Sequence, residues 1–454
     1  MMVRKLAEFK RLGGGLVLLP GDMEPFSTDS VVLYKVLSLA DRAFYVEPGL
    51  VFDAMTALNL LRMNDISQLQ VLTMAEIGDG LRALKLPHRF PHKRLPHNLR
   101  AGALHGLMAE RCELNAAEIA VGVLADCMHD NFTCAGGDSW KDINHQKTLF
   151  DEDDHFADKI FRYYNAGWRS LCLRHGLDPE KTAKEMQDII DGRGLRGQIH
   201  EIADTASYML GDLAEIERAS MRSEVANSDA GRKFREIIRA SQEEWDIWNH
   251  VAVEDYKLVV TNPWALENFL RLRMMLWEKL YQNPATKFLE LLARDIMYPY
   301  LVNHKRINLA ELPLRGDAWL HDLVERKMGL AAGALMRLDL LGEFPRRMSF
   351  PTWVQALDEE DRRHASGAFT LMFSTKDFQA SKSKTDKYFV KGPEGKVISF
   401  KEARPTEAKL IDEIARLSVA SHKSVNVCWV ENPVIPDNLR PAWEEARARW
   451  RERK

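Results

Sequence analysis

Two histidines and two aspartates stand out in this 454-residue chain, because each is set inside or at the end of an apolar helical stretch. His97 opens "HNLRAGALHGLM", His129 and Asp130 close "VGVLADCMHD", and Asp204 lies within "IADTASYMLGD". Two imidazoles and two carboxylates are a donor set for a hard or borderline divalent metal ion. An adjacent His-Asp pair can share one ion where a helix ends, and ligands gathered from three helices are how helical bundles build metal sites. Taken singly, a histidine at a helix start or a His-Asp pair at a helix end serves equally as a cap or a solvated group. Tyr208 and Asp212 follow Asp204 at i+4 and i+8, on one helix face, so one pocket could use all three.

The elements that must position these residues are mostly helical. Apolar residues recur at three- and four-residue steps in "DSVVLYKVLSLADRAF", in "VFDAMTALNLLRMND", on both sides of the His-Asp pair, and on to about residue 345. "KLPHRFPHKRLPH" carries three Pro-His pairs, which predict a loop feeding the helix after His97. His105 lies two turns past His97 and well round the helix from it, which places it on the surface; His200, one turn before Asp204, is a candidate to support a metal ligand from behind. Trp168, Trp264 and Trp277 sit at helical spacing and predict core positions. Near the C-terminus "KYFVKGPEGKVISF" predicts strand, turn, strand; "PTEAKLIDEIARLSV" a helix; "SVNVCWV" a strand; and "LRPAWEEARARWRER" a final helix. "STKDFQASKSKTDK" is the most mobile segment expected.

The net charge of −3 gives no global attraction to nucleic acid or to an acidic membrane surface. Five cysteines without CxxC spacing argue for free thiols in a reducing compartment, and no uninterrupted apolar run approaches a membrane span, so a cytoplasmic protein is expected.

In this order the motifs resemble the HD-domain metal-dependent phosphohydrolases, whose ligand pattern is H…HD…D. Arg94 and His97 in "RLPHNLRAGALHGLM" look like the first motif, His129-Asp130 like the second, and Asp204, Tyr208 and Asp212 like the third. The likeness narrows to the deoxynucleoside-triphosphate triphosphohydrolase branch. "LLRMNDISQLQ" is similar to that branch's helix ending in Gln-Leu, with Gln68 at the nucleotide-sugar position, and the helices after the third motif have counterparts there too. The resemblance covers most of residues 50–345. It implies a mainly α fold, an HD-domain helical bundle with a small α+β C-terminal appendage. The chain then divides into an N-terminal extension at 1–50, an HD phosphohydrolase domain at 51–345 with its core at about 90–220, and the α+β region at 346–454.

The resemblance further implies one divalent ion (Mn, Mg, Fe, Co, Ni or Zn) on His97, His129, Asp130 and Asp204. Arg94, Tyr208 and Lys141 would grip phosphate oxygens, and Asp212 would orient Tyr208 or a basic phosphate ligand. The reaction implied is hydrolysis of a dNTP to deoxynucleoside and triphosphate by a homo-oligomer. The chain departs from the branch after the HD pair: the family continues HDxGHxPFxH, and Thr133 and Asp138 stand where it has two histidines. Asp138 or His155 would then carry the proton transfers. Two alternatives stay open: an HD-type nucleotidase or phosphodiesterase on another nucleotide, and a nucleotide-binding regulatory oligomer without turnover.

Overall fold

The computed structural model describes residues 10–11, 16–18, 36–39, 42–46, 49–66, 93–140, 155–221, 229–281, 291–330, 332, 346–374, 384–420 and 424–452, with 432, 434, 436 and 438 excepted. It is mainly α, and small sheets flank the helices.

The chain opens with four short antiparallel strands, β1 (Lys10–Arg11), β2 (Leu16–Leu18), β3 (Val36–Leu39) and β4 (Arg42–Val46), in the order β1-β2-β4-β3. This corrects the helix expected over "DSVVLYKVLSLADRAF". The sequence here has a helical apolar rhythm, but β3 pairs with β4 and β4 pairs in turn with β2, and that pairing overrides the local pattern. Helix α1 (Leu50–Ala57) and a 3₁₀ turn (Leu60–Asn64) follow.

The central helix is α2 (Arg94–Arg111). It begins three residues earlier than the Pro-His pattern predicts. Pro96 fits in its first turn, where a missing N–H leaves no intrahelical bond unmade. Every residue from His97 to Ala109 is buried, so the helix is enclosed on all sides. It packs along α3 (Ala116–Met128) and the long α6 (Gly194–Ser220). The start of α3 is fixed by a capping box. Asn115 Oδ1 accepts from the Ala117 and Glu118 amides, and Glu118 accepts from the Asn115 amide. Between them run α4 (Phe156–Arg174) and α5 (Pro179–Ile190), and α7 (Asp229–Ala240) follows α6.

Two strands interrupt the stretch expected to be wholly helical. β5 (Val251–Glu254) and β6 (Lys257–Val260) form a hairpin over Asp255-Tyr256, both with positive φ (49° and 59°). That is the geometry of a two-residue turn matching strand twist. Helices α8 (Pro263–Leu276), α9 (Tyr298–Asn303) and α10 (Asp317–Met328) come next.

The C-terminal elements from Phe389 onward follow the expected pattern, and three elements not foreseen in the sequence come before them. β7 (Arg346–Phe350), α11 (Trp353–Ala365) and β8 (Phe369–Ser374) precede β9 (Phe389–Lys391) and β10 (Val397–Ser399), which flank a 3₁₀ turn. After the short α12 (Phe400–Ala403) come α13 (Pro405–Ala420), β11 (Val425–Val430) and α14 (Arg440–Glu452). β9 runs parallel to β6, giving a sheet ordered β10-β9-β6-β5. Tyr388, Val390 and Phe400 join the apolar core of α2, α3 and α6, whereas β8, β11 and α14 share a second core with α9 and α10. Most of "STKDFQASKSKTDK" falls outside the described residues. All five cysteines are buried and none forms a disulfide, and among the described residues no helix is long and apolar enough to cross a membrane.

Candidate metal centre

The three sequence motifs meet. His97 Nε2 and His129 Nε2 are 3.2 Å apart, and Asp204 Oδ1 lies 3.1 Å from the first and 3.4 Å from the second. Donor atoms about 2.1 Å from a shared ion stand roughly 3.0 Å apart at right angles and roughly 3.4 Å apart at tetrahedral angles. The three separations span that range. Asp130 flanks the group, with Oδ2 at 3.6 Å from His97 Nε2 and 3.5 Å from His129 Nε2. Asp130 Oδ2 is buried and makes no hydrogen bond. A buried carboxylate oxygen left without a donor is costly. A cation among these four side chains would satisfy it, so the donor set fits a divalent ion.

Each ligand is held in place by its surroundings. His129 caps α3, and its Nδ1–H donates to the Asp126 carbonyl at 2.6 Å, leaving Nε2 toward the centre. Arg94, one turn before His97 on α2, donates to Asp130 Oδ1. Helices α2 and α6 are fastened next to the ligands: the Ser207 hydroxyl donates to the His97 carbonyl at 2.6 Å, and Arg100 donates to the Ser207 carbonyl at 2.8 Å. Behind His129, the fully buried Asp126 carboxylate accepts from Nδ1 of both His105 and His200. The His200 ring stands edge-on to that of His129, with centroids 5.4 Å apart.

The electrostatics follow from burial and close packing. Burial would raise the Asp204 carboxyl, but hydrogen bonds from His129 and His97 outweigh it and hold the group well below its usual range. Burial would likewise lower His129, yet Asp130 and Asp204 keep its imidazole well above the ordinary histidine value. For His97 burial wins over the same carboxylates, and its value falls.

The loop after the His-Asp pair is clamped. Arg62 donates to the carbonyls of Asn131 at 2.5 Å, Thr133 at 2.9 Å and Arg315 at 2.9 Å. Thr133, one of the two positions that depart from the family's histidines, is buried with its hydroxyl unpartnered. Asp138 lies in a short 3₁₀ turn (Gly137–Trp140), and nothing is described of its side chain. Gln68 and Lys141 lie outside the described residues. His155 caps α4 with positive φ (56°), its side chain 66% exposed and 3.7 Å from Asp158. Tyr208 accepts a hydrogen bond from Arg273 Nε at 2.9 Å, and Asp212 is buried within electrostatic reach of Arg100.

Two sequence expectations change, and one cluster is new. His105 is fully buried on Asp126, not at the surface, because a charged partner 21 residues away receives it. Trp264 is 52% exposed beside Arg404, while Trp168 is core. Arg273, Lys384 and Tyr388 gather around Tyr208 and Thr205, and sequence reasoning missed them. Asp126 had a visible signal, a lone carboxylate inside the apolar run "VGVLADCM".

No family model matches the chain, and no curated protein matches it in sequence. Among solved structures it resembles a phosphohydrolase from Bacteroides thetaiotaomicron, with a TM-score of 0.55 and 12% identity, over 86% of this chain and 98% of that one. At that identity the likeness establishes a shared fold.

Proposed function

We propose that this chain is a metal-dependent phosphohydrolase acting on nucleotides, with deoxynucleoside triphosphates as the leading substrate class and deoxynucleoside plus triphosphate as products. The observation that carries the reading is the convergence of His97, His129 and Asp204 around a common point, with Asp130 Oδ2 buried and unsatisfied beside it. The phosphohydrolase of the same fold supports the reaction class. The order of the motifs and the Asp204, Tyr208, Asp212 face support a nucleotide. Like the branch it resembles, the chain is proposed to act as a homo-oligomer.

A bound divalent ion would polarise a phosphoryl oxygen and lower the pKa of a coordinated water. The chain's own residues do the rest. Arg94 fixes the Asp130 carboxylate, and the Asp126 carbonyl fixes the His129 ring with Nε2 inward. Tyr208, one turn along α6 from Asp204, and Arg273 of α8, hydrogen-bonded to it, would offer a hydroxyl and a guanidinium to phosphate oxygens. Proton transfer is given to Asp138 or His155, and His200 joins them. The Asp126 carboxylate holds a proton on His200 Nδ1, leaving Nε2 as the nitrogen that accepts one.

One observation favours the reading without turnover: Thr133 is buried and cannot titrate where the family has a histidine. Metal analysis of the purified protein, then a dNTP panel with Mn²⁺, Mg²⁺ or Co²⁺, separates the two. Bound metal and nucleoside release, both lost in His129→Ala, are expected. A parent without metal or turnover, indistinguishable from His129→Ala, would sink the enzyme reading.

A further inference from the structure

The segment before β9 reaches the metal centre from the far end of the chain. Lys384 Nζ donates to Thr205 Oγ1 at 3.4 Å, and Thr205 is the residue after Asp204. Lys387 pairs with Glu201 at 2.8 Å, one turn earlier on α6. Tyr388 lies beside Thr205, Tyr208 and Arg273, and its buried hydroxyl completes no hydrogen bond of ordinary geometry. The segment is anchored from behind. The Phe400 amide donates to the Tyr388 carbonyl at 2.8 Å, the Lys401 amide to the Thr385 carbonyl at 3.1 Å, and the Thr385 hydroxyl to Asp412 at 2.8 Å.

The result is a half-buried ammonium on Thr205 and a guanidinium on Tyr208, about one turn apart along α6. Burial first, and Arg273 second, push the Lys384 amine down to about 8. The nearby carboxylates are engaged elsewhere, Glu201 by Lys387 and Asp204 by the two imidazoles. Two like charges one turn apart in a partly desolvated place favour an anion that reaches both. A phosphate chain is the anion whose several oxygens match an ammonium, a guanidinium and a phenol hydroxyl at once.

We propose that Lys384, together with Arg273 and the Tyr388 hydroxyl, binds the phosphate chain of the substrate beside Asp204, so that the C-terminal segment is one wall of the active site. This deepens the phosphohydrolase reading and rests on it.

The test is calorimetric titration of the full-length protein with inorganic tripolyphosphate, first stripped of metal and then with Mn²⁺. Parent, Lys384→Ala, Lys384→Arg and the charge-matched control Lys391→Ala, which pairs with the distant Glu254, are compared. Loss of one charge-assisted contact predicts binding about tenfold to a hundredfold weaker in Lys384→Ala. Lys384→Arg should keep most of the affinity, and Lys391→Ala all of it. In turnover, KM for the dNTP should rise more than kcat falls in Lys384→Ala. Lys384→Met keeps the aliphatic stem and serves the same comparison if the alanine variant loses its fold. Parent affinity in Lys384→Ala, equal losses in Lys384→Ala and Lys391→Ala, or a parent that binds no tripolyphosphate would overturn the proposal. The two readings fail separately: Lys384-dependent anion binding without metal or turnover refutes the enzyme reading alone, and turnover indifferent to Lys384 refutes this one alone.

Discussion

The imidazole of His105 fills the space that a side chain on Gly122 would occupy. A Cβ built on Gly122 would stand 2.1 Å from His105 Nε2 and 2.7 Å from Cδ2. Glycine in mid-helix ordinarily costs α3 stability relative to alanine. Here it lets α2 and α3 approach closely enough for His105 to reach Asp126. Gly122→Ala should therefore destabilise the protein by about 1–3 kcal/mol despite its better helix propensity. Urea denaturation checks it, and a stabilised variant would refute the packing argument.

Asp126 serves two buried histidines with one carboxylate. Asp126→Asn keeps the shape but supplies only one acceptor oxygen, leaving one imidazole N–H unmatched and removing the charge both rings face. The expected loss is about 3 kcal/mol or more. Thermal and urea unfolding of the metal-free protein measure it, and a loss under about 1 kcal/mol would mean the network contributes little.

Arg62 should not tolerate lysine. Its guanidinium reaches the carbonyls of Asn131, Thr133 and Arg315 together, and one ammonium cannot span all three. Arg62→Lys should cost about 2–3 kcal/mol and weaken metal binding, because the loop it clamps starts at Asp130. Metal affinity equal to the parent's would separate the clamp from the centre.

Phosphate binding should depend on pH through Lys384. With its amine pushed down to about 8, the group is charged below that pH and neutral above it. Arg273 from α8, Glu201 and Asp204 from α6, and Lys387 beside it face the amine. Tripolyphosphate affinity of the parent should fall as pH rises through about 8. In Lys384→Arg, where the guanidinium stays charged, the fall should be absent. A parallel decline in both would assign the effect elsewhere.

Metal should stabilise the fold as well as serve the reaction. An ion that binds only the folded chain at a hundred times its Kd adds about 2.7 kcal/mol. Added Mn²⁺ or Co²⁺ should raise the Tm of the parent and EDTA should reverse it. His129→Ala and Asp204→Ala should show neither change, and an equal shift in these variants would place the ion elsewhere.

The sequence by itself determined what local spacing encodes. Apolar residues at three- and four-residue steps marked α2, α3 and α6, and polar residues lodged in those patterns marked His97, His129, Asp130 and Asp204. Such signals are readable because a helix face depends only on neighbours within two turns. Strand pairing and charge pairing are different, because the deciding partner is remote. β4 became a strand because β2, from earlier in the chain, pairs with it and β3 pairs with β4 in turn, and the β5–β6 hairpin gained β9 from some 130 residues further on. His105 went inside because Asp126 receives it, and Lys384 stands beside Thr205 from 179 residues away. Only the tertiary structure could decide those placements, since burial of a charged or titratable group depends on a partner that no local pattern names.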